Sequence, residues 1–155
     1  LCFASQVVIF EDHNRGFGFC WYKGTGAWES ALTNVLSPGD KIISFLIGQF
    51  SLLWIDQMKR LNFDVDVIES EWGAGADLTL LKKKLSADYA HSIKAVCIVH
   101  NETSTGVTND LAAVRRILGE PQNDIPIISL FSTLSSDVTP IALNAFLPNE
   151  GLPCF

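Results

Sequence analysis

Three places in the sequence hold residue types that could do chemistry. The run Gly24-Thr25-Gly26-Ala27 opens the first helical stretch. Glycines let the backbone approach an anion closely, a helix start offers free N–H groups with partial positive charge, and the Thr25 hydroxyl adds a donor. The same residues also read as a plain helix-opening turn. The run matches neither the P-loop nor the dinucleotide fingerprint, and no convincing strand pattern precedes it. The second place is His100-Asn101-Glu102-Thr103-Ser104-Thr105-Gly106, directly after the apolar run AVCIV. In parallel α/β folds ligands lie beyond the carboxyl ends of strands, so these residues suit a binding loop. They equally suit a loop that caps the next helix. The third is Phe50, which starts a helical stretch just after Gly48. Its ring belongs either to the core or to the face of an aromatic ligand. His100 has no serine or cysteine nucleophile at a recognised spacing, so it reads as a structural histidine, and His13 and His91 receive no role.

These residues need a scaffold, and the apolar periodicity supplies one. Trp28, Ala31, Leu32, Val35 and Leu36 form one stripe on a helix that stops at Ser37-Pro38-Gly39-Asp40. KIISFLI then reads as a strand covered on both faces. Phe50, Leu53, Trp54, Gln57, Met58 and Leu61 repeat the helical spacing, with only Gln57 polar, and VDVI at 65–68 is the next strand. Beyond the glycine-rich turn WGAGAD, Leu78, Leu81 and Leu85 mark a third helix whose three lysines face solvent. AVCIV is a strand, Thr108 or Asn109 caps a fourth helix bearing Leu111, Val114 and Leu118, and IPIISLF is a further strand. Alternation of this kind predicts an α/β fold with a mostly parallel sheet flanked by helices. Residues 1–23 and the tail from Pro121 lack clean helical periodicity, and the tail carries five of the six prolines.

Composition narrows the classes. A chain of 155 residues, 48% hydrophobic, has enough apolar surface for a globular core. With a net charge of -6 and one tight basic cluster, Lys82-Lys83-Lys84, it has no nucleic-acid footprint. Cys2, Cys20, Cys97 and Cys154 show neither a C-x-x-C pair nor zinc spacing, which predicts reduced thiols and no metal site. The longest apolar run, IISFLIGQFSLLWI, is broken by Gly48 and Gln49, so no membrane span is expected. The apolar opening LCFASQVVIF lacks the basic start and cleavage site of a secretory signal, and Pro153-Cys154-Phe155 is not a peroxisomal address.

The stretches TGAWESALTN, LSPGDKI, FLIGQFSLLWIDQ, KRLNFDVDVIES and CIVHNETSTGVTND together resemble the first half of the large domain of plant-type serine–glyoxylate aminotransferases, members of the class V aminotransferases. The resemblance is continuous over residues 24–118, leaving 1–23 as a non-matching segment and 119–155 as a divergent tail. It implies a partial fold type I large domain, with pyridoxal 5'-phosphate held at the strand ends of a mostly parallel sheet. It implies an enzyme that is normally a peroxisomal homodimer and acts on small amino acids and 2-oxo acids. Its photorespiratory reaction moves an amino group from serine, or in relatives alanine, to glyoxylate. Residue by residue, Gly24 and Thr25 match the phosphate-cradling turn, with Lys23 where the family usually has threonine. Phe50 matches the aromatic residue stacked on the pyridine ring. Thr103 matches the residue that contacts the cofactor's phenolic oxygen region and the bound substrate.

The departures are as informative. The family's aspartate partner of the pyridinium nitrogen would fall at Ser132, and a hydroxyl cannot stabilise a protonated ring nitrogen as an anion does. The family's G-S-Q-K run, which carries the Schiff-base lysine, does not occur. The sequence therefore predicts a truncated chain that is inactive alone. The alternative is a non-catalytic fragment that pairs with intact aminotransferase subunits.

Overall fold

The computed structural model describes residues 5–12, 16–23, 25–119, 125 and 127–133. Its main sheet has six strands in the order β2-β1-β8-β5-β3-β4. They are β1 (Ser5–Asp12), β2 (Gly16–Lys23), β3 (Lys41–Leu46), β4 (Asp64–Glu69), β5 (Ile93–Val99) and β8 (Ile127–Thr133). β8, β5, β3 and β4 run parallel, whereas β1 is antiparallel to both β8 and β2. The mostly parallel sheet read from the sequence is therefore observed. The described part of residues 1–23 forms its outer hairpin, so a strand does lead into Gly24, contrary to the sequence reading. The strand that leads into Gly24 is β2, which pairs with β1, and β1 in turn pairs with β8.

Helices α1 (Thr25–Val35), α2 (Gln49–Arg60), α3 (Leu78–Ala87) and α4 (Leu111–Leu118) form where the stripes predict them. The stripes are the faces that the sheet takes out of water, with one departure: Leu53 of α2 stays 46% exposed, and Ile55, outside the stripe, is buried in its place. Trp28, Leu32 and Leu36 of the first stripe and Trp54 and Met58 of α2 pack with Ile42, Ala95, Cys97, Val99 and Ile128 on one face. Leu81 and Leu85 of α3 and Leu111, Val114 and Leu118 of α4 pack with Ile43, Phe45, Val96, Ile98 and Ile127 on the other. Consecutive residues of β3 and β5 thus serve opposite layers, as the two-residue period of a strand requires. Lys94 is an extra residue in the pairing of β5 with β3, which steps from Lys41↔Ile93 to Ile42↔Ala95. That bulge lets Ile93 and Val96 share a face despite their odd spacing.

The order of strands fixes where a ligand would lie. The chain steps outward from β3 to β4, then returns past β3 to β5 and on to β8. Because parallel crossovers are right-handed, this reversal of direction puts α2 on one face and α3 and α4 on the other. β3 and β5 therefore flank a switch point, the place in an open α/β sheet where ligands bind beyond the carboxyl ends of the strands.

Candidate functional site

Two short loops stand at that end of the sheet. After β3 come Ile47 and Gly48, then α2. After β5, Asn101–Glu102 (β6) and Val107–Thr108 (β7) pair antiparallel as a small hairpin. Gly106, at φ 73°, takes the left-handed conformation and donates its N–H to the Glu102 carbonyl at 2.9 Å, closing the turn that carries Thr103. Phe50 and Thr103, both half-buried, are thus brought to the same end of the sheet.

Three hydrogen bonds tie the hairpin to the helix. Helix α2 starts at Gly48, which has no side chain to cap the first amides, so they must find acceptors elsewhere. The fully buried Glu102 carboxylate accepts from the N–H of Phe50 at 3.3 Å and of Ser51 at 3.0 Å. The Ser104 hydroxyl accepts from the Gln49 N–H at 2.9 Å and donates to Glu102. An anionic group at a helix N-terminus is favourable, so Glu102 occupies the position an external anion would otherwise take on α2.

The hairpin's other end is held by Asn109. The sequence reading gave Thr108 or Asn109 the job of capping α4, but the cap is Asp110, whose carboxylate accepts from the Ala113 N–H at 2.9 Å. Asn109 is buried instead. Its amide nitrogen donates to the Val99 carbonyl at 2.7 Å, and its amide oxygen accepts from the Ala76 N–H at 2.9 Å. Both of its polar atoms are needed to satisfy backbone groups where β5 ends and the loop before α3 passes. A local cap rule could not reveal this, because Ala76 lies 33 residues away.

Direction along the sheet locates the remaining candidates. β2 points the same way as β8, since both are antiparallel to β1, and Lys23 and Thr133 are each paired with Ser5. The start of α1 therefore stands at the same sheet end as the starts of α2 and of the hairpin. Trp28 and Trp54, each about one turn into α1 and α2, lie with ring centroids 6.3 Å apart. The two helices are neighbours close to their starts. Thr25 is the first residue of α1; Gly24 and the Thr25 side chain lie outside the described residues. Ser132 lies in β8, opposite Gln6, and its side chain is also outside them.

The lysines are placed differently. Lys41 and Lys94 stand near the starts of their strands, Lys59 is in the last turn of α2, and Lys84 pairs with Asp66 at 2.6 Å near the start of β4. Lys82 and Lys83 project from α3 over the other face, and Lys23 ends β2 at the site's end of the sheet. Among the described residues no cluster of side chains could hold a metal ion, and no helix is long and apolar enough to cross a membrane.

Cys97 within β5 and His100 directly after it are titratable groups with shifted pKa values. Burial raises the pKa of the Cys97 thiol far above its ordinary value, so it stays protonated. Burial lowers the pKa of His100 below its ordinary 6.5, against the opposing pull of the Asp110 charge. A histidine held neutral on folding takes up its proton more readily when unfolded, so stability rises with pH through the window just below 6.5. As pH falls through that window, the folded chain should lose stability until His100 itself protonates. In His100→Asn this part of the pH dependence should disappear; unfolding midpoints measured in urea from pH 7 to 5 check it, and an unchanged slope would contradict it.

Comparison with known proteins agrees with this architecture. No protein-family model matches the chain. Over 113 residues it is 67% identical to a serine–glyoxylate aminotransferase of Arabidopsis thaliana, covering 73% of this chain and 28% of the relative. Over 117 residues it is 50% identical to a serine–glyoxylate aminotransferase of Methylorubrum extorquens, covering 71% and 29%. Among solved structures it is similar to an alanine–glyoxylate aminotransferase of Nostoc sp., with a TM-score of 0.52, 30% identity, and coverage of 61% of this chain and 25% of that one. The chain thus spans less than a third of the length of these relatives. Over 73% of its own length, with an α/β fold of the fold type I kind, the chain is a homologue of the serine–glyoxylate aminotransferases.

Proposed function

We propose that this chain builds the cofactor-seating part of an aminotransferase large domain. The corresponding whole protein transfers an amino group from serine or alanine to glyoxylate, giving glycine. The observation that carries this reading is that Phe50, Thr103 and the start of α1 stand at one end of the sheet, the first two beside the β3/β5 switch point, with α1 packed on α2 through Trp28 and Trp54. The amides that open α2 are taken by Glu102 and Ser104, so Gly24 and Thr25 at the start of α1 are the residues that would take a phosphate. Phe50 would give its ring face to the pyridine ring, and Thr103 its hydroxyl to the phenolic oxygen region and to the substrate. When bound, pyridoxal 5'-phosphate supplies the electron sink for transamination.

These residues fit the cofactor's phosphate and ring better than its chemistry. Ser132 in the place of the aspartate would leave the ring nitrogen without an anionic partner, and no lysine of this chain serves as the covalent anchor. The resembling block spans residues 24–118 in this reading, its sheet completed by β8 and the β1–β2 hairpin, and the whole protein is a peroxisomal homodimer acting in photorespiration.

Titrating the chain with pyridoxal 5'-phosphate, followed by quenching of tryptophan emission, should show reversible binding without turnover of serine. Phe50→Ala should weaken that binding about tenfold, as loss of a stacked ring costs on the order of 1 kcal/mol beyond its buried area. Unchanged affinity in Phe50→Ala would remove the ring assignment. A stoichiometric adduct trapped by borohydride at one lysine, Lys23 included, would overturn the absence of an anchor.

One observation favours the alternative of a fragment that pairs with intact subunits. Leu52 and Leu53 are adjacent on α2 and remain 41% and 46% exposed, an apolar surface suited to a partner. Co-expression with a full-length homologue tests this reading, which fails if no mixed dimer forms.

A further inference from the structure

We propose that Glu102 is a positioning residue that sets Phe50 and Thr103 relative to each other, with Ser104 as its partner; this deepens the cofactor reading above and rests on it. A helix start can be capped by its own N-cap side chain, and a serine or aspartate at position 48 would do so. Here the position is glycine, and the capping atoms come from residues more than fifty positions away. That choice does something a local cap cannot: it fastens the hairpin to the helix.

The geometry leaves little freedom. Glu102 accepts from the amides of Phe50 and Ser51 and Ser104 from that of Gln49, and Thr103 is the residue between them. A Cβ added at Gly48 would come within 2.5 Å of Glu102 Cγ, 2.6 Å of its Cδ and 2.7 Å of Ser104 Oγ, so hairpin and helix are in close contact there. Ser51 reinforces the same point, its hydroxyl accepting from the Ile47 and Gly48 N–H groups, each at 3.0 Å. The ring that would stack on a cofactor and the hydroxyl that would touch its edge are therefore carried by two backbones joined through one carboxylate.

The test compares Glu102→Gln, which keeps side-chain length and one acceptor oxygen, with the unaltered chain under conditions where both are folded by circular dichroism. Affinity for pyridoxal 5'-phosphate should fall about tenfold, while affinity for inorganic phosphate, which needs only the α1 turn, should change less than about twofold. Amide hydrogen exchange at Phe50 and Ser51 should accelerate about tenfold while that of Ile55 and Met58 stays as it was. Equal weakening of both ligands, or unchanged exchange at Phe50 and Ser51, overturns the proposal. If the unaltered chain binds no pyridoxal 5'-phosphate, the cofactor reading fails by itself, and the exchange measurement still decides whether Glu102 fixes Phe50. Should Glu102→Gln not fold, Ser104→Ala gives the same readouts, with the fastest exchange expected at Gln49.

Discussion

Trp54→Ala should destabilise the folded chain by about 4 kcal/mol, within the range for emptying a buried tryptophan site. Trp54 is fully buried on α2, and its partner Trp28 on α1 is 1% exposed. The two rings, tilted at 54°, join the helices over one face of the sheet. Removing the indole leaves a cavity between α1, α2 and the residues Ala95, Cys97 and Val99 of β5, a wall of main chain and small side chains that cannot collapse far. The tilted ring pair adds roughly 1 kcal/mol to the loss. Trp54→Phe keeps part of the ring and should lose clearly less. Urea unfolding followed by circular dichroism measures both, and a loss below about 1.5 kcal/mol for Trp54→Ala would show that the layer does not depend on this contact. The consequence reaches the site, because the same pair holds α1 against α2 close to their starts.

Gly48→Ala should cost about 3 kcal/mol, an unusual amount for adding one methyl group. Gly48 has φ 171°, extended backbone that any residue adopts, so conformational strain is not the cause. The cause is the space already filled by Glu102 and Ser104. A flexible side chain at the surface would move aside cheaply. Glu102 is fully buried and bonded to Phe50, Ser51 and Ser104, so displacing it leaves helix amides and a carboxylate without their partners. A double-mutant cycle separates this from a general intolerance of alanine. In a Glu102→Ala background only the exposed Ser104 hydroxyl, released from Glu102, still has to turn aside, and Gly48→Ala should then cost less than about 1 kcal/mol, giving a coupling near 2 kcal/mol. Additive costs would mean that the two positions do not oppose each other.

Much of this architecture is legible without coordinates, because the signals are local. The stripes of Trp28, Leu32 and Leu36, of Trp54 and Met58, and of Leu81 and Leu85 repeat at helical spacing, and they are the faces that the sheet buries. KIISFLI and AVCIV are continuous in apolar residues because each strand serves two layers. The roles of Phe50 and Thr103 come only through the resemblance; the residues alone favour core for Phe50 and leave the run around Thr103 open between a binding loop and a loop that caps the next helix.

What local patterns could not supply is the set of contacts that makes one site of these parts. Glu102 and Ser104 stood inside a polar run whose direction no periodicity reports, and Asn109 had the composition of a helix cap without the position of one. One clue did exist: glycine at position 48 leaves the amides of α2 without a local acceptor, and a helix start so placed requires one from elsewhere. Which residue answers is a matter of strand order. β5 returns beside β3, and only that neighbourhood carries Glu102 to Phe50 across more than fifty residues of chain. The opening segment shows the same limit, since its pairing with β8 arises between chain regions far apart in sequence. Helix and strand periodicity follow from bonds a few residues long, whereas the cradle at the strand ends exists only once the sheet has brought distant loops together.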